Sequence, residues 1–165
     1  DSGRRTLNAI NPEVEVIALT VRLAGDALEA EVAKADVVLD CSDNFATRHA
    51  VNRACVRHGT PLVSGAAIRF DGQVSTFDLR DAKAPCYHCL FPDGDDVQEE
   101  RCATMGVFSP LVGIVGSMQA AEAIKLIAGV GKSLSGRLLM LEALSMEWHS
   151  VRVARDPGCA VCSDR

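Results

Sequence analysis

Three observations predict an α/β fold. Strand-like and helix-like segments alternate through the first third of the chain. An Asp-Gly dipeptide then sits between two alternating runs, and two further strand-like runs lie near the C-terminus. Together they predict a Rossmann-like parallel sheet, covered on both faces, with an antiparallel extension. The 165 residues fit within one domain.

Thr6 to Ile10 reads as the tail of a helix, stopped at Asn11-Pro12 because proline disfavours the helical conformation in the residue before it. Glu13 to Leu23 alternates and is rich in β-branched residues, which predicts a strand. Asp26 can cap a helix running to about Lys34. Asp36 to Asp40 is a short apolar run bounded by acids, the pattern of a buried parallel strand. Asn44 to His58 is helical and ends at Gly59, and Leu62-Val63-Ser64 forms the next strand. Ala67 to Leu79 predicts a hairpin turning at Asp71-Gly72. Residues 81–106 read as a long loop, with five acids between Asp93 and Glu100, followed by a helix from about Val107 to Ala128. Arg137 to Glu142 and Met146 to Ala154 close the chain as antiparallel strands. This layout starts inside a helix and has the later strands of an α/β unit without a first. Residues 1–165 therefore read as the C-terminal portion of one larger domain, with its N-terminal portion missing.

Lys and Arg number 17 against 22 Asp and Glu, a net charge of −5, and aromatics make up 4%. Such a surface argues against a nucleic-acid partner, which needs basic patches or stacking platforms. Pro110 to Ala128 is apolar but carries Gln119, Glu122 and Lys125, which favours a buried or interfacial helix over a membrane span. Seven cysteines, an odd count without a signal-like N-terminus, predict reducing cytoplasm.

The strongest motif pairs Cys86-x-x-Cys89 with Cys159-x-x-Cys162. Two such pairs supply the four thiolates of a tetrahedral structural zinc site, which leaves no open coordination position for catalysis. Two redox pairs or unrelated buried thiols are the rival readings, and His88 is an alternative ligand. The second motif is Asp40-Cys41-Ser42-Asp43-Asn44 at the end of a parallel strand, where open α/β sheets bind ligands. Asp43 could hold Mg²⁺ and Asn44 a phosphate or sugar; either could equally cap the next helix. Arg48 lies on the same helical face and could reach the same anion, or it is an exposed helix arginine. Cys102 precedes the long helix, where a thiol can become nucleophilic, although the acids before it disfavour the thiolate. Cys41 and Cys55 read as small core residues, and His49, His58, His88 and His149 as helix or loop surface. Gly131-Lys132-Ser133 mimics the end of a phosphate-binding loop, but Leu126 stands where glycine is required, so it reads as a turn.

In order, VVLDCSDNFATR, PLVSGAAIRFDGQV, PCYHC, CATMGVFSPLVGIVGSMQAAEAIKLIAG and DPGCAVC resemble the MoeB/ThiF/HesA family. These are ubiquitin-activating-type adenylyltransferases acting on sulfur-carrier proteins. The resemblance spans residues 6–163 and leans towards the molybdopterin-synthase branch. It implies Mg-ATP-dependent adenylation of the C-terminal glycine of a ubiquitin-like carrier, ahead of thiocarboxylate formation. It further implies Asp43 as the Mg/ATP aspartate with Asn44 beside it, and Cys86, Cys89, Cys159 and Cys162 as zinc ligands. Cys102 matches a position that forms an acyl–sulfur link in some members. A homodimer and a separate sulfur-donor protein also follow. The family's glycine-rich nucleotide loop would precede Asp1, so the chain by itself is expected to be inactive. The alternative is a non-catalytic, zinc-stabilised module that binds a ubiquitin-like partner.

Overall fold

The computed structural model describes residues 1–93 and 105–165. Its strands are β1 (Val38–Asp40), β2 (Leu62–Ile68), β3 (Asp71–Phe77), β4 (Arg137–Glu142) and β5 (Glu147–Arg152). They form one mixed sheet in the order β1-β2-β3-β4-β5, with β1 and β2 parallel and the later pairs antiparallel. The helices are α1 (Ser2–Ile10), α2 (Gly25–Val32), α3 (Phe45–His58), α4 (Tyr87–Leu90) and α5 (Ser109–Ala128).

Successive residues of a strand point to opposite faces, and β2 and β3 use both. Leu62 and Phe77 pack on one side with Val32, Ala54, Cys55 and the cysteine-rich segments. Val63 and Val74 pack on the other side against Leu111, Val115 and Leu126. α5 comes close to the sheet because two strand positions lack a Cβ. A Cβ on Gly72 would lie 2.8 Å from Leu111 Cδ1, and one on Gly65 would lie 2.4 Å from Gln119 Cδ. By length and composition α5 could cross a membrane. In this fold it lies on the sheet, with Gln119 and Glu122 buried. Glu122 is satisfied there by Thr76 Oγ1 at 2.9 Å, the Leu134 N–H at 2.6 Å and the Lys125 ammonium.

Several expectations change. Glu13 to Leu23 is not a strand, and Ile17 is 74% exposed there. Alternation and β-branching describe fitness for a pleated surface, and no neighbouring strand pairs with this segment among the described residues. The sheet is less parallel than expected, since β1–α3–β2 is the parallel unit among the described residues. β2 runs on to Ile68, and the hairpin turn falls at Arg69-Phe70 rather than Asp71-Gly72, with Arg69 at φ 50°. Packing decided this, because Gly72 is needed inside β3 under Leu111. Ala24, not Asp26, occupies the N-cap position of α2, and Asp26 sits in the first turn. The end of α3 agrees with expectation: Gly59 closes it in the left-handed region at φ 66°.

Candidate functional site

Beyond the carboxyl end of β1 the chain enters a cavity of about 530 Å³, within the range of small-molecule sites. Ser42, Asp43, Asn44, Arg48 and Gln119 line its polar part, and Ala66, Ile68, Val112 and Val115 its apolar part. Asn44 caps α3, its side-chain oxygen accepting from the Thr47 N–H at 2.9 Å. The capping reading therefore holds for Asn44. Its amide nitrogen stands 3.5 Å from Asp43 Oδ1, and the Asp43 carboxylate is exposed at the cavity. The N-terminal end of a helix carries partial positive charge, which suits an anion.

Arg48 is neither an exposed arginine nor a free anion-binding group. It is buried, and its guanidinium donates to the carbonyls of Ser42 and Gly65 (3.1 Å for the latter) and to Ser64 Oγ at 3.4 Å. It still lines the cavity, so its charge acts there. Asp40 is buried as well. Its Oδ1 accepts from Ser42 N at 3.0 Å and Ser42 Oγ at 2.7 Å, while Oδ2 has no hydrogen-bond partner among the described residues. Cys41 is an exposed lining residue, not a core residue. Its sulfur is partly buried against Gln119, and that burial, with Asp40 beside it, pushes the thiol up. Cys55 is a core residue, its thiol pushed up to about 12 by burial. Sequence reasoning missed Gln119 as a site residue; no motif signals a buried glutamine aimed at strand ends.

On the face of the sheet opposite α5, four cysteine sulfurs lie within 4.8 Å of one another. Cys86 Sγ is 3.9 Å from Cys89 Sγ and 3.8 Å from Cys159 Sγ, and Cys89 Sγ is 3.5 Å from Cys162 Sγ. Those separations are too long for a disulfide bond. A tetrahedron of thiolates about 2.3 Å from a metal has edges of about 3.8 Å, which these match. Two donors face the sulfurs: Asn52 Nδ2 lies 3.7 Å from Cys86 Sγ, and the Asp156 N–H donates to Cys89 Sγ at 3.5 Å. His88 Nδ1 stands 3.4 Å from Cys159 Sγ, outside the four-sulfur set. The four cysteines can therefore hold a metal ion.

His49 departs from its surface expectation. It is 4% exposed, hydrogen-bonds Asp93 Oδ1 at 2.9 Å and meets Tyr87 edge-on. Burial lowers its pKa despite that carboxylate. Cys102 lies outside the described residues.

The sequence profile of the ThiF family matches residues 1–161. The sulfur carrier protein ThiS adenylyltransferase of Escherichia coli K12 is 43% identical over 97% of this chain and 62% of its own length. The molybdopterin-synthase adenylyltransferase of the same organism is 42% identical over 98% of this chain and 64% of its own. The chain thus spans less than two thirds of these relatives. A crystal structure of E. coli MccB with ATP matches the fold with a TM-score of 0.79 at 21% identity, over 98% of this chain and 50% of that one.

Proposed function

This chain belongs to the ThiF family, and from that premise we propose that its whole protein adenylates the C-terminal glycine of a ubiquitin-like sulfur carrier. In this reaction a carrier carboxylate oxygen bonds to the α-phosphorus of ATP. The bond from that phosphorus to the bridging oxygen breaks, and pyrophosphate leaves with the electron pair. The acyl-adenylate is then ready for conversion to a thiocarboxylate, with sulfur from a separate donor protein.

The observation that carries this reading is the exposed Asp43 carboxylate at the mouth of a cavity beyond β1, in a chain so similar to named adenylyltransferases. Magnesium bound with ATP would neutralise charge on the departing phosphates. Asp43 offers that ion a hard oxygen ligand. Asn44 keeps the start of α3 folded beside it, and Arg48 adds positive charge from below. We assign zinc to the cysteine cluster on its all-sulfur donor set and spacing, with a structural role. Cys102 is the proposed thiol for an acyl–sulfur link, its sulfur bonding the acyl carbon as AMP leaves. The solvent-facing side of α5, with Gly113, Ala120, Ile124 and Ile127 and no charged residue, supports a homodimer. Free thiols support a cytoplasmic setting.

The test is carrier-dependent exchange of labelled pyrophosphate into ATP by the full-length protein. Exchange that disappears in Asp43→Ala supports the reading, and a wild-type protein without exchange overturns it. Metal analysis giving one zinc per chain supports the cluster assignment, and metal-free, disulfide-forming thiols reject it.

A further inference from the structure

We infer that Gln119 is a positioning residue for Asp43: from α5, its carboxamide fixes the ends of β1 and β2 and so sets where the Asp43 carboxylate stands. The chemical consequence rests on the nucleotide reading above; the geometry does not.

An amide in a protein core is costly unless its polar atoms are paired. Gln119 is 2% exposed and pairs both ends of its carboxamide. Nε2 donates to the carbonyls of Asp40 at 2.9 Å and Val63 at 3.3 Å, and Oε1 accepts from Cys41 Sγ at 3.5 Å. These contacts fall where the parallel ladder finishes, at its last pair, Asp40 with Ser64. Beyond that pair the sheet no longer dictates the path of the chain, so side chains do. Arg48 reaches in from the α3 side to the carbonyls of Ser42 and Gly65. The three residues before Asp43 are thus held from both faces: Asp40 and Cys41 by Gln119, and Ser42 by Arg48. Gly65 makes the space, since any Cβ there would overlap the Gln119 amide. α5 also lines the cavity through Val112, Val115 and Gly116, so the amide links the seating of that helix to the carboxylate.

The experiment uses the full-length protein with Gln119→Met, Gln119→Ala, Gly65→Ala and the Gly65→Ala/Gln119→Ala pair. Gln119→Met keeps the volume and removes the donor. It is expected to raise both the Mg²⁺ concentration for half-maximal pyrophosphate exchange and the KM for ATP by about tenfold, the scale of one lost buried hydrogen bond. Gly65→Ala should do the same by displacing the amide. In the pair it should add almost nothing, because Gln119→Ala vacates the space the methyl needs. Hydrogen exchange supplies a readout independent of activity. Amides of residues 41–44 should open in Gln119→Met while those of residues 86–90 stay protected. A lower Tm with unchanged Mg²⁺ and ATP dependence overturns the inference, as does full additivity in the pair. If Gln119→Met does not fold, Gly65→Ala carries the kinetic test. If the wild-type protein shows no exchange, the functional reading fails, and the protection of residues 41–44 alone decides the role of Gln119.

Discussion

The cysteine cluster and the strand-end cavity are built on opposite principles. The cluster takes its four groups from two short motifs, and their chemistry sets the geometry wherever the chain brings them together. The cavity takes its polar groups from the segment after β1, from α3 and from α5, each aimed by packing rather than by spacing. In the cluster three of the four cysteines are themselves buried core residues. At the cavity the exposed group, Asp43, is separate from the buried ones that support it, Arg48 and Gln119. Stability and chemistry should therefore be inseparable in one region and separable in the other.

The largest expected effect breaks the cluster. Cys159→Ser should abolish stoichiometric metal and cost on the order of 5 kcal/mol, because metal binding and folding share one free energy. Metal content and urea unfolding measure it. Asp43→Ala is the counterpart at the cavity. It should leave stability within about 0.5 kcal/mol, as befits an exposed side chain, while exchange disappears. If both variants lose stability equally, the contrast between the regions is false. Arg48→Met falls between them. It strips donors from the Ser42 and Gly65 carbonyls and should cost about 3 kcal/mol in urea unfolding, with reduced exchange and full metal content.

The same contrast explains what the amino-acid order revealed. Both Cys-x-x-Cys pairs, Asp43 after a strand and Gly59 after a helix are local signals, and the structure places each in the expected local setting. The burial of Arg48 and the placement of Gln119 have no such local signal, because their contacts depend on carbonyls 6 to 79 residues away. The hairpin shows the same limit: Asp-Gly is a good turn signal, but Gly72 was claimed by Leu111 from across the sheet. Glu13 to Leu23 has a strand's composition, and composition does not supply a partner strand.

Gly72→Ala tests that long-range claim. The added methyl would press on Leu111 Cδ1 and Val115 Cγ2, at 2.8 and 3.1 Å, and should cost about 1–3 kcal/mol by overpacking. Metal content should be unchanged, since α5 and the cluster lie on opposite faces. A loss of metal in this variant would show that the two sides are coupled through the sheet.

The smallest effect separates locality from magnitude. Asp78 accepts two hydrogen bonds from the Arg80 guanidinium, at 2.7 and 2.8 Å, a pairing only two residues apart. Those hydrogen bonds, against some desolvation, hold the Asp78 carboxyl below its ordinary range. A carboxyl with a lowered folded pKa contributes stability that is fully present above its unfolded value, about 3.9. That contribution is lost as the pH falls through the lower, folded value. Arg80 is half exposed, so solvent screening limits the pair to less than about 1 kcal/mol. Asp78→Asn should therefore unfold at slightly lower urea than wild type at pH 7, with the gap closing as the pH falls below the ordinary carboxylate value. A gap that instead widens in acid would reverse the sign and remove Arg80 as the cause. A gap as large at pH 7 as that of Gly72→Ala would show that the local pair counts for as much as packing across the sheet.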